Sequence, residues 1–238
     1  MIAVAVLAIG SPILQAQQDL GLSPAEFADG GDETLRAAGY AFSIWGLIYA
    51  GLLAFAVYQA LPGRASRALD AAYVPAIGAM GLIGAWIWWS ATDRGWLSVA
   101  TILLATISAM SAARRASATA DSRTDRLLIA WPFAALAGWL TVASVINLLT
   151  VLTKNDLIAR SAATPAALVG LVFAAGVALG YLRWTRLWLY GLPVAWGLVA
   201  VFVAERADAP IPAWTAFVLA LVVLAAAWVW RRPTATRR

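Results

Sequence analysis

Residues 127–151 read LLIAWPFAALAGWLTVASVINLLTV, and this stretch decides the fold class. Its 25 residues carry no charge, whereas a helix of about 20 mostly apolar residues is already long enough to cross a bilayer. Because lipid offers no partners for backbone amides, such a segment predicts a transmembrane helix. It also holds Trp139, Ala143 and Asn147 at intervals of four, so these three share one helix face.

Similar apolar stretches lie on both sides of this one. Those long enough to span a membrane are Gly39–Leu61, Ala71–Ala91, Gly95–Ala113, Ala162–Leu182, Leu187–Ala204 and Ile211–Trp230. Met1–Leu14 is also apolar, but it covers only about two-thirds of a ~30 Å hydrocarbon core. We favour a tilted or Pro12-kinked helix there over a signal peptide, because this segment lacks the basic region with which signal peptides begin. The sequence therefore predicts an all-α, polytopic membrane bundle of about eight helices.

The composition agrees with this fold class and excludes several functions. Of the 238 residues, 63% are hydrophobic and 12% are charged, against about 25% charged residues in soluble domains. Cys and His are both absent, which excludes disulfides, thiol nucleophiles, zinc sites and His-ligated haem. The net charge of +5 comes mainly from arginines between apolar segments, so it indicates cytoplasmic loops and not nucleic-acid binding.

Basic residues in the loops predict the orientation. One side carries twelve, namely Arg64, Arg67, Arg114, Arg115, Arg123, Arg126, Arg183, Arg186, Arg231, Arg232, Arg237 and Arg238. The other side carries five, namely Arg36, Arg94, Lys154, Arg160 and Arg206. Because cytoplasmic loops are enriched in Lys and Arg, we expect a multi-pass protein of the cell (inner) membrane with a cytoplasmic C-terminus. Eight helices place the N-terminus in the cytoplasm as well.

The segment 15–38 is the one long loop on the predicted outer face. Its charges are Asp19, Glu26, Asp29, Asp32 and Glu33 against Arg36, a net charge of −4. Its Gly, Ser and Pro content argues against a long helix. A loop of this length in a compact bundle is either a lid or binding loop, or a disordered connector.

Aromatic and small residues at helical spacing mark the candidate site. They are Phe42, Trp45 and Tyr49 in the second helix, Trp86 and Trp89 in the third, and Trp139, Ala143 and Asn147 in the fifth. The predicted topology puts them in the outer half of the membrane, with Trp139 near the middle. One interpretation is a pocket for a flat, largely apolar ligand. The other is a tightly packed aromatic core without a ligand.

The remaining tryptophans, glycines and charges have simpler interpretations. Six tryptophans fit the interfacial belt, namely Trp96, Trp184, Trp188, Trp214, Trp228 and Trp230. Small residues allow close helix packing inside the bundle or in a homodimer, and they are Gly78, Gly81, Gly84, Gly176 and Gly180. Every charge falls in a loop or at a helix end, which argues against ion-coupled transport. Lys154 is the only lysine, and its place in an outer loop excludes a retinal Schiff base.

The aromatic stripes carry a resemblance to a known family. Residues 39–49, GYAFSIWGLIY, resemble the second-helix signature of the TspO/MBR family (translocator proteins and tryptophan-rich sensory proteins), roughly P-P-G-W-x-F-x-x-V-W-x-x-L-Y. The W-x-x-[LI]-Y part matches directly, and the prolines are absent. Trp139-x3-Ala143-x3-Asn147 is similar to the family's fifth-helix W-x3-A-x3-N. The sequence departs from the family pattern at two places. Ile83 stands where the family has an Asn before Trp86. Early in the fourth helix, an apolar or hydroxyl residue near Ala100 and Thr101 stands where the family has an acidic residue.

The resemblance implies a five-helix core over residues 1–152 with a pocket roofed by loop 15–38. Residues 153–238 are then a three-helix extension with a basic tail. The family binds porphyrins and other tetrapyrroles, sterols and synthetic aromatic molecules. Carried over by position, the pocket residues are Phe42, Trp45, Tyr49, Trp86, Trp139, Ala143 and Asn147. Because His and Cys are absent, a metal-free tetrapyrrole is easier to accommodate than a metalloporphyrin.

Three functions follow as hypotheses. The first is a binding or sensory protein for a flat hydrophobic ligand, for which a tetrapyrrole is favoured. The second is a transporter of a small lipophilic solute, with the last three helices completing a pathway. The third is Trp-assisted breakdown of a porphyrin. We expect binding rather than catalysis, with the lipid bilayer and a porphyrin or sterol-like molecule as partners, and we assign no catalytic residue, metal ligand or resident cofactor.

Overall fold

In the computed structural model, residues 2–18, 20–30, 34–63 and 66–231 are described, and long helices make up most of them. The helices are α1 Ile2–Gln17, α2 Pro24–Asp29, α3 Ile44–Ala60, α4 Arg67–Ala91, α5 Gly95–Thr119, α6 Arg123–Asp125, α7 Trp131–Lys154, α8 Ala163–Thr185, α9 Trp188–Glu205 and α10 Pro210–Val229. Short 3-10 turns, Gly39–Ser43 and Arg160–Ala162, precede α3 and α8. The loop charges Asp19, Asp32, Glu33 and Arg64 and the tail residues Arg232, Arg237 and Arg238 lie outside the described residues.

Seven of the described helical segments are long and apolar enough to cross a membrane. They are Gly39–Ala60, Arg67–Ala91, Gly95–Thr119, Arg123–Lys154, Arg160–Thr185, Trp188–Glu205 and Pro210–Val229. This confirms the predicted all-α, polytopic membrane bundle. The first helix, α1, has 16 residues, a length of about 24 Å at 1.5 Å per residue. It is thus shorter than a full span, as its sequence predicted.

Local sequence explains where several helices begin. Ser66 caps α4, its hydroxyl oxygen accepting the N–H of Leu69 at 3.1 Å, and Ser122 caps α6 in the same way. A π-helical turn, Arg126–Ala130, leads into α7. It ends two residues before Pro132, which has no N–H to donate to the helical hydrogen-bond ladder. The uncharged stretch that decides the fold class therefore starts with a widened turn and continues as α7.

Helix α7 is the centre of the bundle. Helices α3, α5, α8 and α9 all pack against it. Helix α4 joins α1 to α5, and α10 covers α8 and α9. The Tyr190 hydroxyl of α9 lies 2.7 Å from Thr141 Oγ1 of α7, and the Tyr181 hydroxyl of α8 donates to the Met110 carbonyl of α5 at 2.7 Å. The last three helices thus pack directly against the first part of the chain.

The small residues divide into two groups. Gly84 lies against the backbone of α1 at Ala8, and Gly78 lies against Ser108 of α5. These positions serve packing inside the bundle. At Gly176 and Gly180, by contrast, a methyl group would meet no atom within 4 Å, so the GxxxG stripe of α8 faces outward among the described residues. A homodimer through that stripe stays a prediction.

Ion pairs at the two ends of the bundle agree with the predicted alternation of loops. Arg67 pairs with Asp121 at one end. At the other end, which we call the α2 end, Lys154 pairs with Asp93. Four of the predicted interfacial tryptophans are more than half exposed, namely Trp96, Trp184, Trp214 and Trp228. Trp188 is exposed to a smaller extent, and Trp230 packs partly against the core.

Candidate ligand-binding site

Four aromatic rings from three helices meet near the α2 end. Trp45 stacks on Trp86, with ring centroids 6.2 Å apart and an interplanar angle of 27°. Trp139 meets Trp45 edge-on at 6.3 Å, and Phe42 meets Trp139 edge-on at 5.9 Å. Offset-stacked and edge-to-face pairs are the favoured arrangements of aromatic rings. The predicted stripes of α3, α4 and α7 therefore do converge.

These rings surround a small cavity. Its lining comes from α2, the segment before α3, and helices α3, α4 and α7, and consists of Pro24, Phe27, Ala28, Ala37, Phe42, Trp45, Trp86, Trp139, Ala143, Ile146 and Asn147. Its volume is about 30 Å³, which has room for one or two water molecules. A polycyclic ligand does not fit unless the walls move apart.

Three indole N–H groups in this lining have no acceptor among the protein atoms. They are the Nε1 atoms of Trp45, Trp86 and Trp139, each buried without a hydrogen-bond partner. The three residues are 8%, 4% and 2% exposed, so bulk water does not reach these atoms. A buried donor without an acceptor costs roughly 1–3 kcal/mol, and buried polar groups are ordinarily paired. Three such donors around one cavity are therefore the polar signature of the site.

Asn147 contributes the one amide of the lining. It is 4% exposed, and its Oδ1 lies 3.1 Å from the Ser98 hydroxyl of α5, which acts as donor. This bond fixes the amide to a neighbouring helix. Asn147 also lines the cavity, so it is both anchored to α5 and placed at the site.

Helix α2 forms the roof of the cavity. Ser23 and Glu26 make a capping box: the Ser23 N–H donates to Glu26 Oε2 at 2.7 Å, and the Glu26 N–H donates to Ser23 Oγ at 3.2 Å. Hydrogen bonding of Ser23 to the Glu26 carboxylate, first from its side chain and then from its backbone N–H, holds the pKa of Glu26 below its ordinary value. The cap fixes the start of the six-residue helix and turns Phe27, which is 1% exposed, downward into the bundle.

Contacts at both ends of α2 hold the roof in place. Before it, the Leu22 N–H donates to the Ala91 carbonyl at 3.1 Å, next to Gly21. A side chain at Gly21 would strike that same carbonyl, and its φ of +73° favours glycine. After it, the Lys154 ammonium lies over the Phe27 ring, 5.3 Å from the centroid. Lys154 is also paired with Asp93, so one cation joins the roof to the ends of α4 and α7.

Six of the eight predicted site residues line the cavity. Tyr49 stacks on Trp45 at 5.2 Å but lies outside the lining, and Trp89 is also outside it. The sequence prediction did not include the α2 residues Pro24, Phe27 and Ala28, or Ala37 and Ile146. Ile146 is seven residues after Trp139, a spacing that returns to the same helix face. Phe27 is the only aromatic residue of its loop, which is the one sequence signal that pointed to the roof.

Comparison with known families provides one match. A family model described as TSPO-like protein matches residues 1–229. The match thus continues through α8, α9 and α10, beyond the five helices on which the resemblance rested. No curated protein and no solved structure gives a significant match to the sequence.

Proposed function

Since this chain belongs to the TSPO-like protein family, we propose that it is an integral membrane protein that binds a flat hydrophobic ligand in the cavity beneath α2. The ligand class that we favour is a tetrapyrrole. Aromatic faces of Trp45, Trp86 and Trp139 supply stacking surfaces, which contribute roughly 0.5–1.5 kcal/mol per ring pair beyond the burial of apolar area. Pockets of this kind are mostly apolar with a few placed polar groups.

The observation that carries the proposal is the set of three unpaired indole donors. A purely structural aromatic core gains nothing from them, because each unpaired N–H costs free energy. A ligand with hydrogen-bond acceptors recovers that cost, and it does so only when bound. Tetrapyrroles carry such acceptors in their unprotonated ring nitrogens and in their carboxylate substituents. The donor set therefore favours a ligand with acceptors over a plain hydrocarbon.

Binding requires the cavity to enlarge. At about 30 Å³, the space is far smaller than the ~300–1,000 Å³ of ordinary ligand pockets. The element that we expect to move is α2, because it has only six residues and is not part of any of the seven candidate spans. Movement of Phe27 away from the rings opens the cavity without disturbing the packing of α3, α4 and α7 with one another.

The residues present favour a metal-free ring. The chain has neither His nor Cys, and the described residues contain no group of acidic side chains arranged to hold a metal ion. A bound metalloporphyrin would need an axial ligand that the lining does not offer, since Asn147 and the indoles are poor ligands for iron. A metal-free tetrapyrrole instead uses the indole donors directly.

Quenching of tryptophan fluorescence by protoporphyrin tests the proposal. We expect saturable quenching in the parent, with weaker affinity in Trp45→Ala and in Trp139→Phe, which keeps an aromatic ring but removes the N–H donor. Trp228→Phe is the matched control, because Trp228 is 65% exposed and far along the chain. Equal affinity in all four proteins would show that the porphyrin binds elsewhere on the surface. Absence of saturation in the parent would remove the tetrapyrrole from the proposal.

A further inference from the structure

The segment that joins α2 to α3 forms one wall of the cavity. Ala37 and Phe42 of this segment both face the space between the tryptophans. Its described part before the 3-10 turn Gly39–Ser43, residues 34–38, is neither helix nor strand. No helical or strand hydrogen-bond ladder holds these residues, so their position depends on what they contact.

Most of its hydrogen bonds and ion pairs are with α9 and with the loop that follows α9, and the Thr34 hydroxyl also lies 3.0 Å from the Thr153 hydroxyl of α7. The backbone N–H of Arg36 donates to Glu205 Oε1 at 3.0 Å. The Arg36 guanidinium lies beside the same oxygen, with Nε at 3.3 Å in ion-pair contact but without hydrogen-bond geometry. Its Nη2 pairs with Asp208 Oδ2 at 2.8 Å. Glu205 is 2% exposed, so its carboxylate is buried between α9 and the wall.

Two further hydrogen bonds continue this contact along the wall. The Ala38 N–H donates to the Ala200 carbonyl at 3.1 Å, and the Trp196 indole donates to the Ala41 carbonyl at 3.0 Å. Tyr40 packs edge-on against Trp196 at 5.2 Å. Unlike the three indoles of the cavity, Trp196 therefore has its acceptor, and that acceptor is the backbone of the cavity wall.

Helix α9 is itself packed against α7, whose cavity-lining residues we call the floor of the cavity. Gly138 of α7 lies so close to α9 that a methyl group there would be 2.2 Å from the Tyr190 carbonyl oxygen. Gly197 of α9 packs tightly against the Val142 side chain of α7 in turn. Since α7 carries Trp139 and Asn147, α9 links the floor of the cavity to its wall through close backbone packing.

From these contacts we propose that the C-terminal helices position the cavity wall, and that Glu205 is the positioning residue through which they do so. Glu205 touches no ligand-facing atom; it acts through Arg36, one residue before Ala37. This gives the last three helices a role in ligand binding that differs from a transport pathway. The expected effect on ligand affinity rests on the proposed function, but the position of the wall can be measured without any ligand.

The first test uses the absence of cysteine from the chain. Ala37→Cys places a single thiol on the wall, where the native side chain is 6% exposed, and its reaction with N-ethylmaleimide reports access to the cavity. Adding Glu205→Gln, which keeps the size and an acceptor oxygen but removes the charge, is expected to raise the labelling rate roughly tenfold. The reference thiol is Ala159→Cys at an exposed loop position. The control substitution is Asp121→Asn, which breaks an ion pair at the other end of the bundle.

The second test measures ligand affinity and rescue. Glu205→Gln is expected to weaken protoporphyrin binding roughly tenfold, which corresponds to about 1.4 kcal/mol, while the thermal unfolding midpoint stays near that of Asp121→Asn. Glu205→Asp keeps the carboxylate that accepts from the Arg36 N–H and pairs with its guanidinium, so it should retain more of the affinity than Glu205→Gln.

The outcomes separate the two proposals. Unchanged labelling of Ala37→Cys in the Glu205→Gln background overturns the positioning role, whatever the ligand. Faster labelling with unchanged protoporphyrin affinity overturns the link from the wall to binding. If labelling is faster but the parent binds no protoporphyrin, the wall contact stands and the proposed ligand is what fails.

Discussion

Gly138→Ala is the substitution for which the structure predicts the clearest loss of stability. A methyl group at this position would lie 2.2 Å from the Tyr190 carbonyl oxygen, and side-chain methyl carbons essentially never approach closer than 3.0 Å. Helices α7 and α9 must therefore part by about 0.8 Å at their closest point. The obstacle is backbone, which cannot rotate aside as a flexible side chain can.

The magnitude follows from the packing that is lost. Overpacking by one methyl group in a well-packed core costs about 1–3 kcal/mol. We place Gly138→Ala at the upper end of that range, because separation of α7 from α9 also lengthens the 2.7 Å hydrogen bond between Thr141 and Tyr190. The gain in helix propensity from Gly to Ala, about 0.5–1 kcal/mol, offsets only part of this.

Thermal unfolding in detergent micelles, followed by circular dichroism, measures the effect. Gly176→Ala is the matched control, because it is the same change in a long helix with no atom within 4 Å of the new methyl group. We expect a lower midpoint for Gly138→Ala and an unchanged or higher one for Gly176→Ala. If the two variants unfold at the same temperature, the close approach of α7 and α9 at Gly138 is refuted. The link from α9 to the cavity through α7 then loses its basis.

Three further predictions concern the cavity and its roof. Ala143→Leu puts a larger side chain into the cavity and should abolish protoporphyrin quenching, with circular dichroism confirming that the helices remain; continued quenching would place the ligand elsewhere. Lys154→Gln removes the cation over Phe27, a contact worth about 0.5–1 kcal/mol at an exposed site. Stopped-flow traces should then show faster association and faster dissociation of protoporphyrin. Unchanged rates would exclude roof movement as the entry step. Ser23→Ala removes the cap of α2, a loss of about 1 kcal/mol, and should speed hydrogen exchange of its amides. Because hydrogen bonds from Ser23 lower the pKa of Glu26, the parent should lose the same protection as the pH falls through that pKa and keep it at neutral pH.

The spans and most of the cavity lining were predictable from sequence because both follow from short-range rules. An uncharged run such as Leu127–Val151 requires a helix in lipid, and intervals of three and four place Trp139, Ala143 and Asn147 on one face. Alternation of the spans then fixes which ends of α3, α4 and α7 lie together. Tyr49 shows the limit of this reasoning, because it is on the predicted stripe but a turn deeper than Trp45.

The resemblance implied a roof from residues 15–38, but the contacts that hold the roof and the wall were not predictable because they join distant parts of the chain. The inward position of Phe27 depends on the capping box together with Lys154, far along the chain. Burial of Glu205 is a similar case. Its place at the end of a span does not indicate burial, which comes from the packing of residues 34–38 against α9.

The ring cluster at the cavity has a spectroscopic consequence of its own. Trp45 lies within 6.3 Å of both Trp86 and Trp139, nearly parallel to one and nearly perpendicular to the other. Chromophores this close share their excited states, so the three indoles absorb and emit as a coupled group distinct from the tryptophans of the bundle surface. Near-ultraviolet circular dichroism of the unlabelled protein is thus a direct measure of their mutual geometry. Any molecule that enters between them must change that signal, with no label and no assumption about its chemistry.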